Sequence, residues 1–393
     1  MKGVDIVNPL RNLITYGQSY WMDNLTRGMM TSGELQRRVT EQGLRGITSN
    51  PAIVHQAISG SHDYDRHIAE LISQGLTSSE IYEQLVVTDV QDACDLLRPV
   101  YEASEGLDGF VSLEVSPYLA HDTTGTMQET RRLAHAVNRP NVLIKIPGTT
   151  AGVPAIEQMV YEGININVTL LFAIKDYEAV AQAYIAALER RVSAGQPVHN
   201  VASVASLFLS RIDVLVDQLL RHRLPTTTAG DGRLHPEQCM GQAAISNAKL
   251  AYQRFKQMFR GPRWEALEQR GARVQRLLWA STSTKNPHDR DVRYIEPLIG
   301  LQTVTTMTAE TIAAFADHGV IVANAVEADL EKAQRVLHDL ATVGIVFDCV
   351  TWHLQNEGIQ KFMDPFDTLL HTLERRREAR WGELTSHAAM PCG

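Results

Sequence analysis

The chain has 393 residues, 44% of them hydrophobic, and a net charge of −8 from 37 basic and 45 acidic side chains. That balance argues against general nucleic-acid binding, no run of about eighteen apolar residues offers a membrane span, and Met1 to Leu13 lacks the apolar centre of a signal peptide. The four cysteines, Cys94, Cys239, Cys349 and Cys392, are scattered without metal-ligand spacing, so the expectation is free thiols in a reducing cytoplasm and no metal site.

Residues 1–15 read as a lead-in. Ser19 to Met22 is a short apolar-aromatic run that predicts a first strand, with Asp23 at its C-terminal end. A helix follows, with Thr31 and Glu34 spaced as a capping box and Gly43 as its stop. Leu44 to Ser49 predicts strand two. Asn50-Pro51 closes it and suits the cap and first position of another helix. Helical stretches fill roughly 63–104. Phe110 to Val115 predicts strand three, with Glu114 inside the run. Thr126 and Glu129 are again spaced as a capping box before a helix to Val137.

Strand four is N-V-L-I-K-I-P-G, from Asn141 to Gly148, with Lys145 inside the apolar run. Burying an ammonium ion is unfavourable, so the group tends to lose its proton. An ordinary lysine titrates near pH ~10.4, so keeping it neutral at pH 7 takes about 4.6 kcal/mol, which a buried site can supply. A neutral lysine is a nucleophile for carbonyls. The plainer reading is a lysine paired with a carboxylate or snorkelling from a strand end.

Ile164 to Thr169 predicts strand five, where Asn165, Asn167 and Thr169 alternate with apolar residues and face one way. A helix over 175–194 leads to strand six, Val201 to Ser206, with Arg211 opening the next helix. Residues 223–240 read as a surface loop, and a long helical region over 241–269 precedes strand seven, Val274 to Ala280. Strand seven runs into S-T-S-T-K-N-P, Ser281 to Pro287. Gln302 to Thr306 predicts strand eight, and Thr308 caps a helix that ends at Gly319. From about 323 the chain is helical. Its last part, Pro365 to Trp381, has Phe366, Leu369, Leu370 and Leu373 on one face and a charged run on the other.

Eight strands alternating with helices predict an α/β fold of the (β/α)8 TIM-barrel type, with extra C-terminal helices and a long helical insertion between strands six and seven. We expect one domain over 1–393, with 323–393 as a helical extension packed on it. A doubly wound open sheet is the alternative, but no Gly-rich phosphate loop follows the first strand.

Barrel active sites lie at the C-terminal ends of the strands. Asp23, Asn50, Glu114, Lys145, Asn167, Thr169, Ser206, Arg211, Ser281 and Lys285 all fall in or just after those ends. The set fits imine chemistry. Lys145 adds to a ketone, Glu114 shuttles a proton through a water shared with Thr169, and Asp23 acts as base for carbon–carbon cleavage. Asn50 and Asn167 suit sugar hydroxyls, while Arg211, Lys285 and Ser281 suit a phosphate. Each has a plainer role: Asp23 and Asn50 as helix caps, Glu114 as an ion-pair partner of Lys145, Lys285 as a loop lysine.

At these residues the sequence resembles the transaldolase family, in its longer bacterial form, from about Asn8 to Leu373. The match is carried by G-I-T-S-N-P-A-I at Gly46 to Ile53, F-V-S-L-E-V-S-P at Phe110 to Pro117, L-I-K-I-P-G-T at Leu143 to Thr149, I-N-V-T-L-L-F at Ile166 to Phe172, and W-A-S-T-S-T-K-N-P at Trp279 to Pro287. The strand-seven loop departs from the pattern at Ser283, where glycine is expected. The resemblance implies that Lys145 is the Schiff-base lysine, Glu114 the proton relay and Asp23 the cleavage base. Asn50, Asn167, Thr169 and Ser206 become substrate or water contacts, and Arg211 a phosphate ligand, with Ser281 and Lys285 at the same end. It implies transfer of a dihydroxyacetone unit from sedoheptulose 7-phosphate to glyceraldehyde 3-phosphate, without metal or organic cofactor, by a monomer or homodimer. The related fructose 6-phosphate aldolases carry tyrosine at the Phe208 position and glutamine at the Glu114 position. Phe208 and Glu114 thus favour the transferase over an aldolase, or over a sugar-phosphate-binding barrel without catalysis.

Overall fold

A computed structural model describes residues 8–222 and 239–388, and side chains as far as 380. Most of the expected 223–240 loop and Cys392 lie outside the described residues. Eight parallel strands close into a barrel in sequence order. They are β1 (Gln18–Asp23), β2 (Gly46–Thr48), β3 (Phe110–Glu114), β4 (Val142–Pro147), β5 (Ile166–Leu171), β6 (Ser203–Phe208), β7 (Arg276–Ala280) and β8 (Thr303–Met307). The seam is β1 on β8, in register from Gln18 opposite Thr303 to Met22 opposite Met307.

The helices before β4 are α1 (Pro9–Asn12), α2 (Arg27–Thr31), α3 (Glu34–Gln42), α4 (Pro51–Gly60), α5 (Asp65–Ser73), α6 (Ser78–Ala103) and α7 (Thr123–Val137). Between β4 and β6 lie α8 (Gly152–Glu162) and α9 (Ile174–Ser193). The insertion between β6 and β7 holds α10 (Ser210–Arg221), α11 (Ala243–Met258) and α12 (Pro262–Glu268). After β8 come α13 (Ala309–His318), α14 (Leu330–Thr342) and α15 (Phe347–Ala388).

Strand interiors are buried on both faces, as parallel strands under a helical ring must be. Gly46 in β2 shows how tight the packing is: a Cβ there would lie 2.5 Å from the Trp21 ring. Below the barrel, Asp108 accepts from Ser19 Oγ (2.7 Å), Trp21 Nε1 (3.3 Å), Arg45 (2.7 Å) and Arg276 (3.0 Å). That network ties β1, β2 and β7 at the end remote from the site.

Several local expectations change. Glu34 does begin α3, but its cap is Gly33, and the Thr31 hydroxyl bonds back to the Arg27 and Gly28 carbonyls. Ser32-Gly33 breaks the helix in two, so the capping-box spacing spans a break. Asp122, not Thr126, caps α7 by accepting from Gly125 N at 2.9 Å, which starts the helix three residues early. Helix α4 keeps the Asn50-Pro51 start read from sequence, with Asn50 Oδ1 accepting from Ile53 N at 3.1 Å. Pro365 lies inside α15, which runs unbroken for 42 residues, about 60 Å at the usual rise.

Helix α15 crosses the C-terminal mouth of the barrel. Val350, Leu354, Ile359, Phe362, Phe366, Leu369 and Leu373 form its buried stripe at near-heptad spacing. The far end packs on α4, α5 and α6. There Phe366 meets Tyr82 edge-on at 5.2 Å, and Leu369 and Leu373 join Ile58, Ile68, Ile72 and Leu85.

Candidate active site

Pairing register places three of the singled-out residues in one row. Glu114 of β3 lies opposite Lys145 of β4, which lies opposite Asn167 of β5. Period-two alternation then aims all three into the barrel. Lys145 is 5% exposed. Its Nζ donates to Glu114 Oε1 and, at 3.1 Å, to the Ser49 carbonyl. The ion pair expected as the plainer reading is therefore present, and it sits at the cavity wall.

Burial pushes the Glu114 carboxyl above the usual carboxylate range. The charge and hydrogen bond of Lys145 pull it back down, and Asp23 pushes it up again. A carboxyl raised in this way holds a proton to higher pH than an exposed one, which suits a proton relay.

The cavity above this row has a volume of about 180 Å³ and is open to solvent on one side. Asp23, Asn50, Lys145, Thr169, Ser206, Phe208, Arg211, Ser281 and Lys285 all line it. Asp23 accepts from Thr48 Oγ1 at 2.9 Å, which fixes the carboxylate and leaves its other oxygen toward the cavity. Asn50 spends Oδ1 on the α4 cap and keeps its amide nitrogen for the cavity. The Thr169 hydroxyl is buried with no protein partner. Such a group normally binds water or ligand.

Asn167 is placed differently. It is fully buried below the cavity floor, donating to Ser112 Oγ at 3.0 Å and accepting from Ser206 Oγ at 2.7 Å. Asn165 lies outside β5, which begins two residues later than expected. Its amide ties the Pro140 carbonyl (2.9 Å) to the Ala202 N–H (2.9 Å) at the remote end. Strand β5 also ends irregularly, with Leu170 at φ +58° where its register on β6 shifts.

The opposite wall is cationic. Arg211 is half-buried over the Phe208 ring at 5.5 Å, and its Nη1 has no protein partner. Burial lowers its pKa, against the favourable charges of Glu357 and Asp23. Lys285 is lowered first by burial and then by Arg211, while Asp23 raises it. Half-buried Arg211, with its unmet donor, and the exposed Lys285 beside it put positive charge on this wall, which suits an anion such as phosphate. Lys285 Nζ donates to Ser283 Oγ at 2.9 Å, so the serine found in place of glycine orients this lysine. Ser281 is held at φ +55° by Ser210, whose N–H donates to the Ser281 carbonyl at 3.1 Å. A non-glycine residue in that conformation stores strain of about 1–3 kcal/mol, which is typical of functional sites.

Sequence reasoning missed four contributors. The Ser49 carbonyl receives Lys145, and no side-chain signal marks a carbonyl. Gln355, Glu357 and Phe362 come from α15, whose apolar stripe announces a packed face without saying what it packs on. Among the described residues no helix is long and apolar enough to cross a membrane.

Comparison with known proteins gives a consistent result. A family profile described as transaldolase/fructose-6-phosphate aldolase matches residues 20–373. A protein named transaldolase 2 from Nostoc sp. strain PCC 7120 is 48% identical over 372 residues, covering 94% of this chain and 97% of its own length. Transaldolases from Trichodesmium erythraeum and Thiobacillus denitrificans are 46% and 44% identical, covering 94% and 93% of this chain and 98% and 99% of their own lengths.

Proposed function

This chain belongs to the transaldolase/fructose-6-phosphate aldolase family, and we propose that, as a transaldolase, it moves a dihydroxyacetone unit from sedoheptulose 7-phosphate to glyceraldehyde 3-phosphate. The products are erythrose 4-phosphate and fructose 6-phosphate. One observation carries the reading: Lys145, buried against Glu114, opens into a cavity whose far wall holds Arg211 and Lys285.

In this reading Lys145 gives a proton to Glu114 and its amine attacks the substrate ketone. Glu114, through a water on the unpaired Thr169 hydroxyl, returns the proton as the carbinolamine loses water. Asp23 takes the hydroxyl proton as the carbon–carbon bond breaks and gives it back to the acceptor's oxygen when the new bond forms. Asn50 and Ser206 bind sugar hydroxyls, and Asn167 holds Ser206 in place. Arg211, Lys285 and Ser281 bind the phosphate. Phe208 favours transfer over simple aldol cleavage, because its ring, packed on Phe172 at 5.3 Å, offers no proton. We further read the chain as one domain in the cytoplasm, a monomer or a homodimer. The free cysteines Cys94, Cys239 and Cys349 support a reducing compartment.

The test is intact mass after borohydride reduction in the presence of fructose 6-phosphate, followed by peptide mapping. A dihydroxyacetone-sized adduct on Lys145 is expected. No adduct, or an adduct on Lys285, overturns the reading. Arg211→Ala should raise KM for phosphorylated sugars about 10–100-fold, the usual worth of a hydrogen-bonded charge pair, and change KM for free dihydroxyacetone little. Equal effects on both would remove Arg211 from the phosphate site.

A further inference from the structure

We infer that Phe362 of α15 keeps water away from the enamine formed on Lys145, and so helps decide whether the three-carbon unit is transferred or lost. The inference rests on the Schiff-base reading above. Phe362 is 6% exposed, and its ring centre lies 5.8 Å from Lys145 Nζ. It faces the main cavity and also a small apolar pocket bounded by Glu114, Lys145, Thr169, Leu170 and Ile359. The reacting nitrogen thus has a carboxyl on one side and an aromatic ring above it.

The height of that ring over the lysine is fixed at both ends of the helix segment. On one side, Gln355 Nε2 donates to the Gly148 carbonyl beyond β4 and to the Leu170 carbonyl of β5, each at 3.2 Å. The left-handed Leu170 belongs to the irregular end of β5 that meets this glutamine. Gly358 allows the approach: a Cβ there would lie 2.9 Å from Leu170 Cδ2 and 3.5 Å from Arg211 Nη1. On the other side, Phe366 is held between Tyr82 and Tyr118. Residues 355, 358, 362 and 366 share one helix face, so the clamp and the ring act as one rigid piece.

The chemistry needs such a wall. Cleavage leaves an enamine joined to Lys145 Nζ, with a nucleophilic carbon. In transfer, that carbon bonds to the acceptor's aldehyde carbon, and the aldehyde oxygen takes a proton. In the competing path, the carbon takes a proton from water. The hydroxide left behind adds to the resulting iminium carbon, and the carbinolamine collapses to dihydroxyacetone and the free amine. The water consumed equals the water expelled when the imine formed. A phenyl ring donates no proton and excludes the water that could. At under about 6 Å it also favours the cationic iminium over a neutral carbinolamine.

The experiment compares wild type, Phe362→Ala and Phe362→Leu in two assays. One measures dihydroxyacetone release from fructose 6-phosphate alone, and the other transfer to erythrose 4-phosphate. Phe362→Ala should raise the ratio of release to transfer about tenfold, and Phe362→Leu should raise it less. In D2O the released dihydroxyacetone should carry one carbon-bound deuterium. A merely structural role would lower both rates and leave the ratio unchanged. If Phe362→Ala does not fold, the leucine variant decides on the same ratio. An unchanged ratio in a folded variant that still gives the borohydride adduct on Lys145 overturns the role of Phe362. Absence of the adduct in wild type overturns the Schiff-base reading instead.

Discussion

Lys145→Ala should lower turnover at least about 10⁴-fold, equivalent to roughly 5.5 kcal/mol of lost transition-state stabilisation, while the barrel stays folded. The chemical half of this follows from the site: among the described residues no other amine is held at the end of β4, and Lys285 stands on the cationic wall beside Arg211. The structural half needs an argument, because removing one partner of a buried ion pair commonly destabilises by about 3–5 kcal/mol. Here the surviving partner has a way out. Burial already pushes the Glu114 carboxyl upward, and Lys145 is the first group holding it down. Without the lysine, Glu114 takes a proton and stays neutral, so no uncompensated charge is left inside. Turnover and thermal melting measured on the same preparation check both halves. A variant that keeps a tenth of wild-type activity would rule out Lys145 as the nucleophile.

Asp23→Ala should slow the overall reaction by about 10²–10⁴-fold, the usual contribution of a placed general base. It should nevertheless form the covalent adduct with fructose 6-phosphate. The separation is expected because Asp23 is on β1, across the mouth from the Glu114–Lys145 pair, and touches Thr48 instead of the lysine. In the proposed mechanism, imine formation involves the Lys145–Glu114 pair and carbon–carbon cleavage involves Asp23. Mass spectrometry after borohydride reduction, alongside steady-state rates, checks this. Loss of the adduct in Asp23→Ala would assign Asp23 to substrate binding.

The barrel was legible because the physics behind it is local. A lysine inside V-L-I-K-I-P has few explanations, and a parallel barrel gathers its strand ends, so Asp23, Asn50, Thr169 and Ser206 could be placed together before any coordinate was known. Strand ends were less exact where a side chain does backbone work. Asn165 looked like a strand residue by alternation, but its amide is taken by the Pro140 carbonyl and the Ala202 N–H, so β5 starts after it. Both misplaced capping boxes had correct spacing. In one a glycine broke the helix, and in the other an earlier aspartate had already satisfied the first turn.

The α15 contribution was out of reach for a different reason. An apolar stripe reports that a helix is covered. It does not say that residues roughly two hundred positions from Lys145 form the ceiling over it. Only the clamp from Gln355 to the ends of β4 and β5 reveals the destination of that helix.

The seam between β1 and β8 also orders events in time. No closed cylinder exists until residues 303–307 can pair with 18–22, and α15 lies C-terminal to both. Chains leave the ribosome N-terminus first, so Lys145, Glu114 and the cavity walls are synthesised well before Gln355 and Phe362. A barrel closed before α15 docks would leave Lys145 open to water and to any small carbonyl compound. On the role proposed for Phe362, docking of the last helix is the step that gives the barrel its selectivity for transfer.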